Sequence, residues 1–336
     1  MAGKRVQNLF ESVVDFEHLH KSAWQARRGI TLNSDTARFF YELESNLLIL
    51  RQELLDQCYE PQSFRSFVIQ DPKVRLIQAA PFRDRVVHHA LCSVLQPHLE
   101  RSYFADSYAC QKGKGNHKAV HRVQHLLKHF DWIGKIDIHH FFESLHHPTL
   151  YRLLGRRIAD DQVMSLTKGI ISHGHSRVST ERGVPIGNLT SQHFANFYLD
   201  ALDHHIIEQT PVCAMVRYMD DVVIFANTKR DVVDGISLLD EFVQDTLHLS
   251  LKDNQTRIRP SQRGIEFLGF AITPSKIRFD SRRRRRFSQK WRASFHEENS
   301  DVDPVLSMDS LLAWSEQANT VTTRKNLLLS TWVQRV

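Results

Sequence analysis

The sequence predicts an α+β fold, a mixed-strand sheet domain with helices interspersed and helical pieces at its flanks. Three observations carry this. Apolar residues recur at helical spacing in several separate stretches, pairs of apolar runs meet at turn signals, and 41% of the 336 residues are hydrophobic. That is enough apolar surface for a real core shared by two or three subdomains. The length leaves no room for a large appended nuclease or helicase.

The elements follow in order. Residues 1–60 read as helical, because Phe39, Leu43, Leu47, Leu48, Leu50 and Leu54 recur near the 3.6-residue period. Residues 64–80 (FRSFVIQDPKVRLIQAA) read as a hairpin with Asp71-Pro72 at its turn. The next helix carries Val86, Val87, Ala90, Leu91, Val94 and Leu95 on one side and is expected to stop at Pro97. A helix over 117–130 leads to a strand over 132–138, and two helices follow Pro148. The loop 183–187 feeds a helix burying Phe194, Phe197, Tyr198 and Leu202. Residues 212–226 (VCAMVRYMDDVVIFA) form a second hairpin, its strands meeting at Met219-Asp220-Asp221. A helix spans about 230–247, short strands run through Phe270, and the chain after Pro274 is basic and helical to its end.

Charge and cysteines narrow the partners. The net charge is +6, and residues 281–292 (SRRRRRFSQKWR) hold five consecutive arginines, so a polyanion is the favoured partner. Cys58, Cys92, Cys110 and Cys213 are far apart and form no CxxC pair, which argues against zinc or a disulfide framework and for a reducing cytoplasm. No apolar run approaches the roughly 18 residues of a membrane span, so a soluble chain with no membrane partner is expected. The pairs His139-His140, His146-His147 and His204-His205 read as exposed or hydrogen-bonded histidines, since adjacent side chains diverge rather than converge on a metal.

Phosphoryl transfer to a nucleotide uses two divalent ions about 3.5–4 Å apart, which requires two or three carboxylates at one point. Asp137 ends the strand over 132–138, and Asp220 with Asp221 lies at a hairpin tip. Such a corner suits magnesium, which takes carboxylates together with phosphate oxygens and waters.

Four segments then resemble reverse transcriptases, in family order and at family spacing. VRYMDDVVIF (216–225) resembles their catalytic hairpin, and IDIHHFF (136–142) their first metal-binding motif. GVPIGNLTSQ (183–192) resembles the motif lining the templating base pair, and FLGF (267–270) the primer grip. The resemblance covers roughly residues 60–275. It implies a right-hand polymerase: an N-terminal helical extension (1–60), fingers (61–130 and 148–190), a palm (131–147 and 191–274) and a short basic helical thumb (275–336). It implies an RNA-directed DNA polymerase using two Mg²⁺ ions, with Mn²⁺ able to substitute. Its partners are template RNA, primer, dNTPs and the cDNA product.

The same resemblance assigns roles. Asp137 and Asp220 would hold the metals with help from the carbonyl of Ile138, and Asp221 would shape the field beside them. Phe142 corresponds to the steric gate against a ribose 2′-hydroxyl. Lys73 and Arg75 would grip the triphosphate, Arg75 being favoured for its bidentate guanidinium. Ile186, Gly187, Gln192 and Tyr218 would line the substrate pocket. Phe267, Leu268 and Gly269, with Arg282, Arg283, Arg284, Arg285 and Arg286, would contact nucleic acid. Arg85 reads as structural.

Two departures from the commonest family pattern matter. Ile186-Gly187 and Ser191-Gln192 stand where many relatives have Gln-Gly and Ser-Pro. This, with the short length and the run SYACQKGKGNHKA (107–119), resembles the enzymes of diversity-generating retroelements. These copy a template-repeat RNA with frequent errors opposite adenine and work with a small accessory protein. The alternative is an anti-phage defence enzyme acting with its own structured noncoding RNA. Retron-like and intron-encoded enzymes are less expected because their companion motifs are not apparent. A catalytically silent RNA-binding scaffold is disfavoured by the intact carboxylates. The second departure is Gln255, which stands where the family often has a proton-donating lysine, with Lys252 three residues upstream.

Overall fold

The computed structural model describes residues 5–29, 33–70, 74–173, 181–252, 256–293, 318–321, 324–325 and 327. In chain order the elements are α1 (Phe10–Val14), α2 (Phe16–Arg27), α3 (Ser34–Tyr41), α4 (Leu43–Leu55), β1 (Arg65–Gln70), β2 (Val74–Ala79) and α5 (Phe82–Leu99). Then come α6 (Asn116–Leu126), β3 (Trp132–Asp137), α7 (Phe141–Ser144), α8 (His147–Gly155), α9 (Asp161–His173), α10 (Leu189–Tyr198) and α11 (Asp200–Gln209). The remainder is β4 (Ala214–Tyr218), β5 (Asp221–Ala226), α12 (Lys229–Asp245), β6 (Arg257–Pro260), β7 (Ile265–Phe267), β8 (Phe270–Ile272), β9 (Ile277–Phe279) and α13 (Ser281–Ala293). The expected Asp71-Pro72 turn lies outside the described residues, as does most of the chain beyond 293. Among the described residues, no helix is long and apolar enough to cross a membrane.

Capping chemistry explains why the N-terminal stretch is several helices rather than one. The Asp15 carboxylate accepts from the His18 amide at 2.8 Å and starts α2, and the Asn33 side chain accepts from the Thr36 amide at 2.9 Å and starts α3. The expected stop at Pro97 does not occur, because α5 runs two residues further. Proline costs a helix the bond to the carbonyl four residues earlier, but here it falls in the last turn. Leu95 and Leu99, both 1% exposed, hold that turn against the core.

The chain forms two compact units. One comprises residues 1–105, 138–205 and 239–251. Its centre is α5, whose Val86, Val87, Ala90 and Leu91 are fully buried, with α2 and α10 packed against it. The antiparallel ribbon β1–β2, with Phe67 opposite Ile77, also belongs here.

The other unit comprises residues 106–137, 206–238 and 252–336. It holds a four-stranded antiparallel sheet in the order β4-β5-β3-β6. One face, with Ile133, Val216, Val223 and Phe225, shares a core with Val120 and Val123 of α6, the small sheet β7-β8-β9, and Phe287 and Trp291 of α13. On the other face α12 comes so close that a Cβ on Gly134 would lie 2.9 Å from Val232 Cγ1 and 3.0 Å from Ile224 Cγ1. Covered on both sides, the sheet is a rigid support for whatever its strand ends carry.

Candidate active site

The sheet brings the predicted carboxylates together at its end. In the β3–β5 register Asp137 lies directly opposite Asp221. Cross-strand partners project from the same face, with Cβ atoms about 4.5–5.5 Å apart. Asp220 occupies the two-residue turn between β4 and β5, whose first residue, Met219, takes a left-handed φ of 54°. The hairpin thus closes in two residues, which fixes Tyr218 opposite Asp221; the separate β3–β5 pairing then sets Asp221 against Asp137. Arg217, fully buried in β4, donates to the Met219 carbonyl at 3.2 Å and holds the turn from beneath. Its backbone is clamped in turn: its amide donates to Asp106 O, and its carbonyl accepts from the Tyr108 amide.

Two lysines sit on the carboxylates. Lys135 Nζ lies 3.1 Å from Asp221 Oδ1 and also donates to the Glu266 carbonyl at 3.2 Å. Lys252 Nζ lies 3.5 Å from Asp137 Oδ2, and its amide donates to the Asp137 carbonyl at 2.9 Å. The aspartates are 23% and 33% exposed, so each pair is worth roughly 1 kcal/mol or less. That is weak enough for a divalent ion to displace. Tyr218, opposite Asp221, is half-buried, and burial, then the nearby Cys110, raises its phenol above its ordinary range.

The donor set fits magnesium. Its donors are all oxygen and accessible; among the described residues no group of three or more His, Cys, Asp or Glu side chains is placed to hold a metal ion by itself. A site of this kind is completed by substrate phosphates and water rather than by protein.

The predicted substrate residues of the other unit form a second constellation. Phe141 is buried against Tyr198 while Phe142 is only half-buried. The loop before α10 is laced to both neighbours. The Val184 amide donates to Phe142 O, the Gly183 amide to Leu145 O, and the Gln78 amide of β2 to Ile186 O. The Asn188 side chain accepts from the Ala80 amide at 3.1 Å, and His147 Nε2 meets Gly183 O at 2.6 Å. Gly187 has a φ of 114°, and a Cβ there would lie 2.8 Å from Ile77, so a glycine is required. Arg75, Gly187 and Gln192 are exposed, and Ile186 is half-buried. Lys73 and Gln255 lie outside the described residues.

Residues 69–272 match the family described as "Reverse transcriptase (RNA-dependent DNA polymerase)". The chain belongs to the reverse transcriptase family. It is similar to Protein YkfC of Escherichia coli (strain K12), 26% identical over 76% of this chain and 77% of that one. It is also similar to the Group II intron-encoded protein LtrA of Lactococcus lactis subsp. cremoris, 25% identical over 58% of this chain. A third relative is the Putative COX1/OXI3 intron 2 protein of Saccharomyces cerevisiae, 19% identical over 56%. The chain spans about a third of those two intron proteins, 33% and 29% of their lengths. The family makes this reverse transcriptase an RNA-directed DNA polymerase, a nucleotidyltransferase.

Some assignments change with the structure in view. The five arginines do not act alike. Arg282, Arg284, Arg285 and Arg286 are exposed, but Arg283 turns inward. Its guanidinium lies 4.3 Å over the Phe270 ring and donates to Leu268 O at 3.3 Å. It thereby braces the turn where Leu268 and Gly269 both have positive φ. Burial lowers its pKa, as expected of a cation packed on rings. Phe267 is buried and faces the core. Arg85 donates to Ala26 O and is structural, as expected. His139 and His140 do not diverge: their rings meet at 4.3 Å because His140 has a left-handed φ of 42°. Sequence reasoning missed Arg217 and Asn188, whereas His147 is hydrogen-bonded to Gly183 O as expected. Only Arg217 carried a signal, as a charge inside an apolar strand.

The bracing role separates Arg283 from its neighbours. Arg283→Ala should lower unfolding free energy by about 1–3 kcal/mol, the sum of a cation–π contact and a hydrogen bond. Arg284→Ala should stay within about 0.5 kcal/mol of wild type. Urea denaturation of both variants checks this, and equal losses would count against it.

Proposed function

We propose that this reverse transcriptase copies RNA into DNA by two-metal nucleotidyl transfer in a right-hand arrangement. In this reading β3, β4 and β5 form the palm, the β1–β2 ribbon belongs to the fingers, and α13 begins a basic thumb. The observation that carries the reading is the pairing of Asp137 with Asp221 at the sheet's end, with Asp220 in the adjoining turn.

Bound there, two Mg²⁺ ions would lower the pKa of the primer 3′-hydroxyl and neutralise charge on the triphosphate. Asp137 and Asp220 would hold them with help from the Ile138 carbonyl, and Asp221, paired with Lys135, would shape the field. Lys252, within reach of Asp137, takes the proton-donating role that Gln255 cannot fill and protonates the pyrophosphate leaving group. By the family resemblance Arg75 would grip the triphosphate, and Tyr218, Gly187 and Gln192 would each contact substrate. The half-buried Phe142 ring stands against a ribose 2′-hydroxyl. Leu268, Gly269 and the outward arginines hold template and primer.

For the biological role, the diversity-generating reading is supported by Ile186 and by Ser191-Gln192. Its partners would be a template-repeat RNA and a small accessory protein, acting in a bacterial cytoplasm. Ile186 offers the nascent pair no hydrogen bond where a glutamine would, a loss worth roughly 0.5–1.5 kcal/mol.

Two outcomes follow. Asp137→Asn should cut Mg²⁺-dependent primer extension about a thousandfold or more, since several kcal/mol of transition-state stabilisation go with the ligand. RNA affinity should change little, and substantial extension by the purified variant would overturn the site assignment. Ile186→Gln should lower misincorporation opposite template adenine by a few-fold to about tenfold, read as kcat/KM for right and wrong dNTPs. Unchanged errors would remove Ile186 from fidelity. High wild-type accuracy opposite adenine would favour the defence reading.

A further inference from the structure

The outer face of α6 and the turn that follows it carry histidines and basic residues with no acidic one among them. His117, His121, His125 and His129 recur every fourth residue, Lys118, Arg122 and Lys128 stand among them, and residues 116–130 contain no Asp or Glu. Ala119, Val120, Val123 and Leu126 turn into the core. At about 100° per residue His117, Lys118, His121 and His125 fall on the opposite side, where Lys118, His121 and His125 are exposed, as are Lys128 and His129 in the turn after the helix. Solvated helix faces ordinarily mix signs, and this one holds Lys118 and Arg122 without an acidic residue of its own. Arg122 is neutralised locally, donating to both Asp106 oxygens at 2.9–3.0 Å.

The stripe begins at the turn already placed against nucleic acid. His117 meets the Phe270 ring edge-on at 6.1 Å, the same ring that Arg283 covers. Further along, Gln124 Nε2 donates to Thr273 O at 3.3 Å. Histidines four apart on a helix can chelate a transition metal, but lysines and an arginine interleave these, and His129 Nδ1 is directed at His125 O, 2.8 Å away. The surroundings suit an anion.

We propose that the outer face of α6 is a track for the phosphate backbone of the template–primer duplex, continuous with the turn at 267–270. This rests on the polymerase reading above. From His117 to Leu126 the helix axis advances about 14 Å, which matches about four nucleotides of one strand.

The test is binding of an RNA–DNA hybrid across a salt series, with the full chain and with Lys118→Gln/His121→Gln/His125→Gln/Lys128→Gln. Two lost lysine–phosphate contacts should flatten the log–log slope by about 1.4–1.8 and raise Kd about tenfold or more. Lys128→Glu alone decides the matter if the quadruple variant does not fold: its slope should flatten by about 0.7–0.9 or more. Unchanged slope and Kd would overturn the proposal. So would a loss confined to anionic phospholipid vesicles with hybrid binding intact, which would make the face a lipid site. If the wild type itself neither binds nor extends a primer–template, the polymerase reading fails instead.

Discussion

Two carboxylates face each other across the β3–β5 ladder, and much of the surrounding structure serves to keep them there. Like charges directly opposite on neighbouring strands destabilise a sheet, so the register persists only because it is over-determined. Helix α12 closes on Gly134 from one side, and the shared core with α6 fills the other. Lys135 and Lys252 supply positive charge at the strand ends, and buried Arg217 holds the Met219 carbonyl. A local conflict maintained by the global fold is where function is expected.

The substrate constellation obeys a different logic. Ile186 and Gly187 belong to a loop whose backbone is bonded to β2 on one side and, through Phe142 and Leu145, to the segment around α7 on the other. Its shape is therefore set by main-chain bonds, and its chemistry by the few side chains left exposed. That division lets residue 186 change from amide to aliphatic without altering the loop's path, because Ile186 contributes its carbonyl to the Gln78 bond whatever its side chain.

Much of this was legible in the sequence, and the failures have physical causes. The hairpin over 212–226 was visible because two apolar strands converge on Met219-Asp220, yet nothing in residue order said that Asp221, rather than Asp220, would oppose Asp137. That depends on the β3–β5 register, a long-range property. Pro97 misled because the rule against proline in helices weakens in a last turn already anchored by buried leucines. Arg283 was indistinguishable from its neighbours until the helix phase placed Phe270 beneath it. The α6 histidines are four apart in sequence, so only the helix phase brings them to one face.

The central claim is that the carboxylates at the end of β3 and β5 form a divalent-cation site. Electron paramagnetic resonance titration of Mn²⁺, with a 3′-deoxy primer–template and the next dNTP bound, measures this without turnover. Saturable binding of two ions by the wild type, reduced to one or none in Asp137→Asn, is the result expected. Equal Mn²⁺ binding by the two proteins would contradict it.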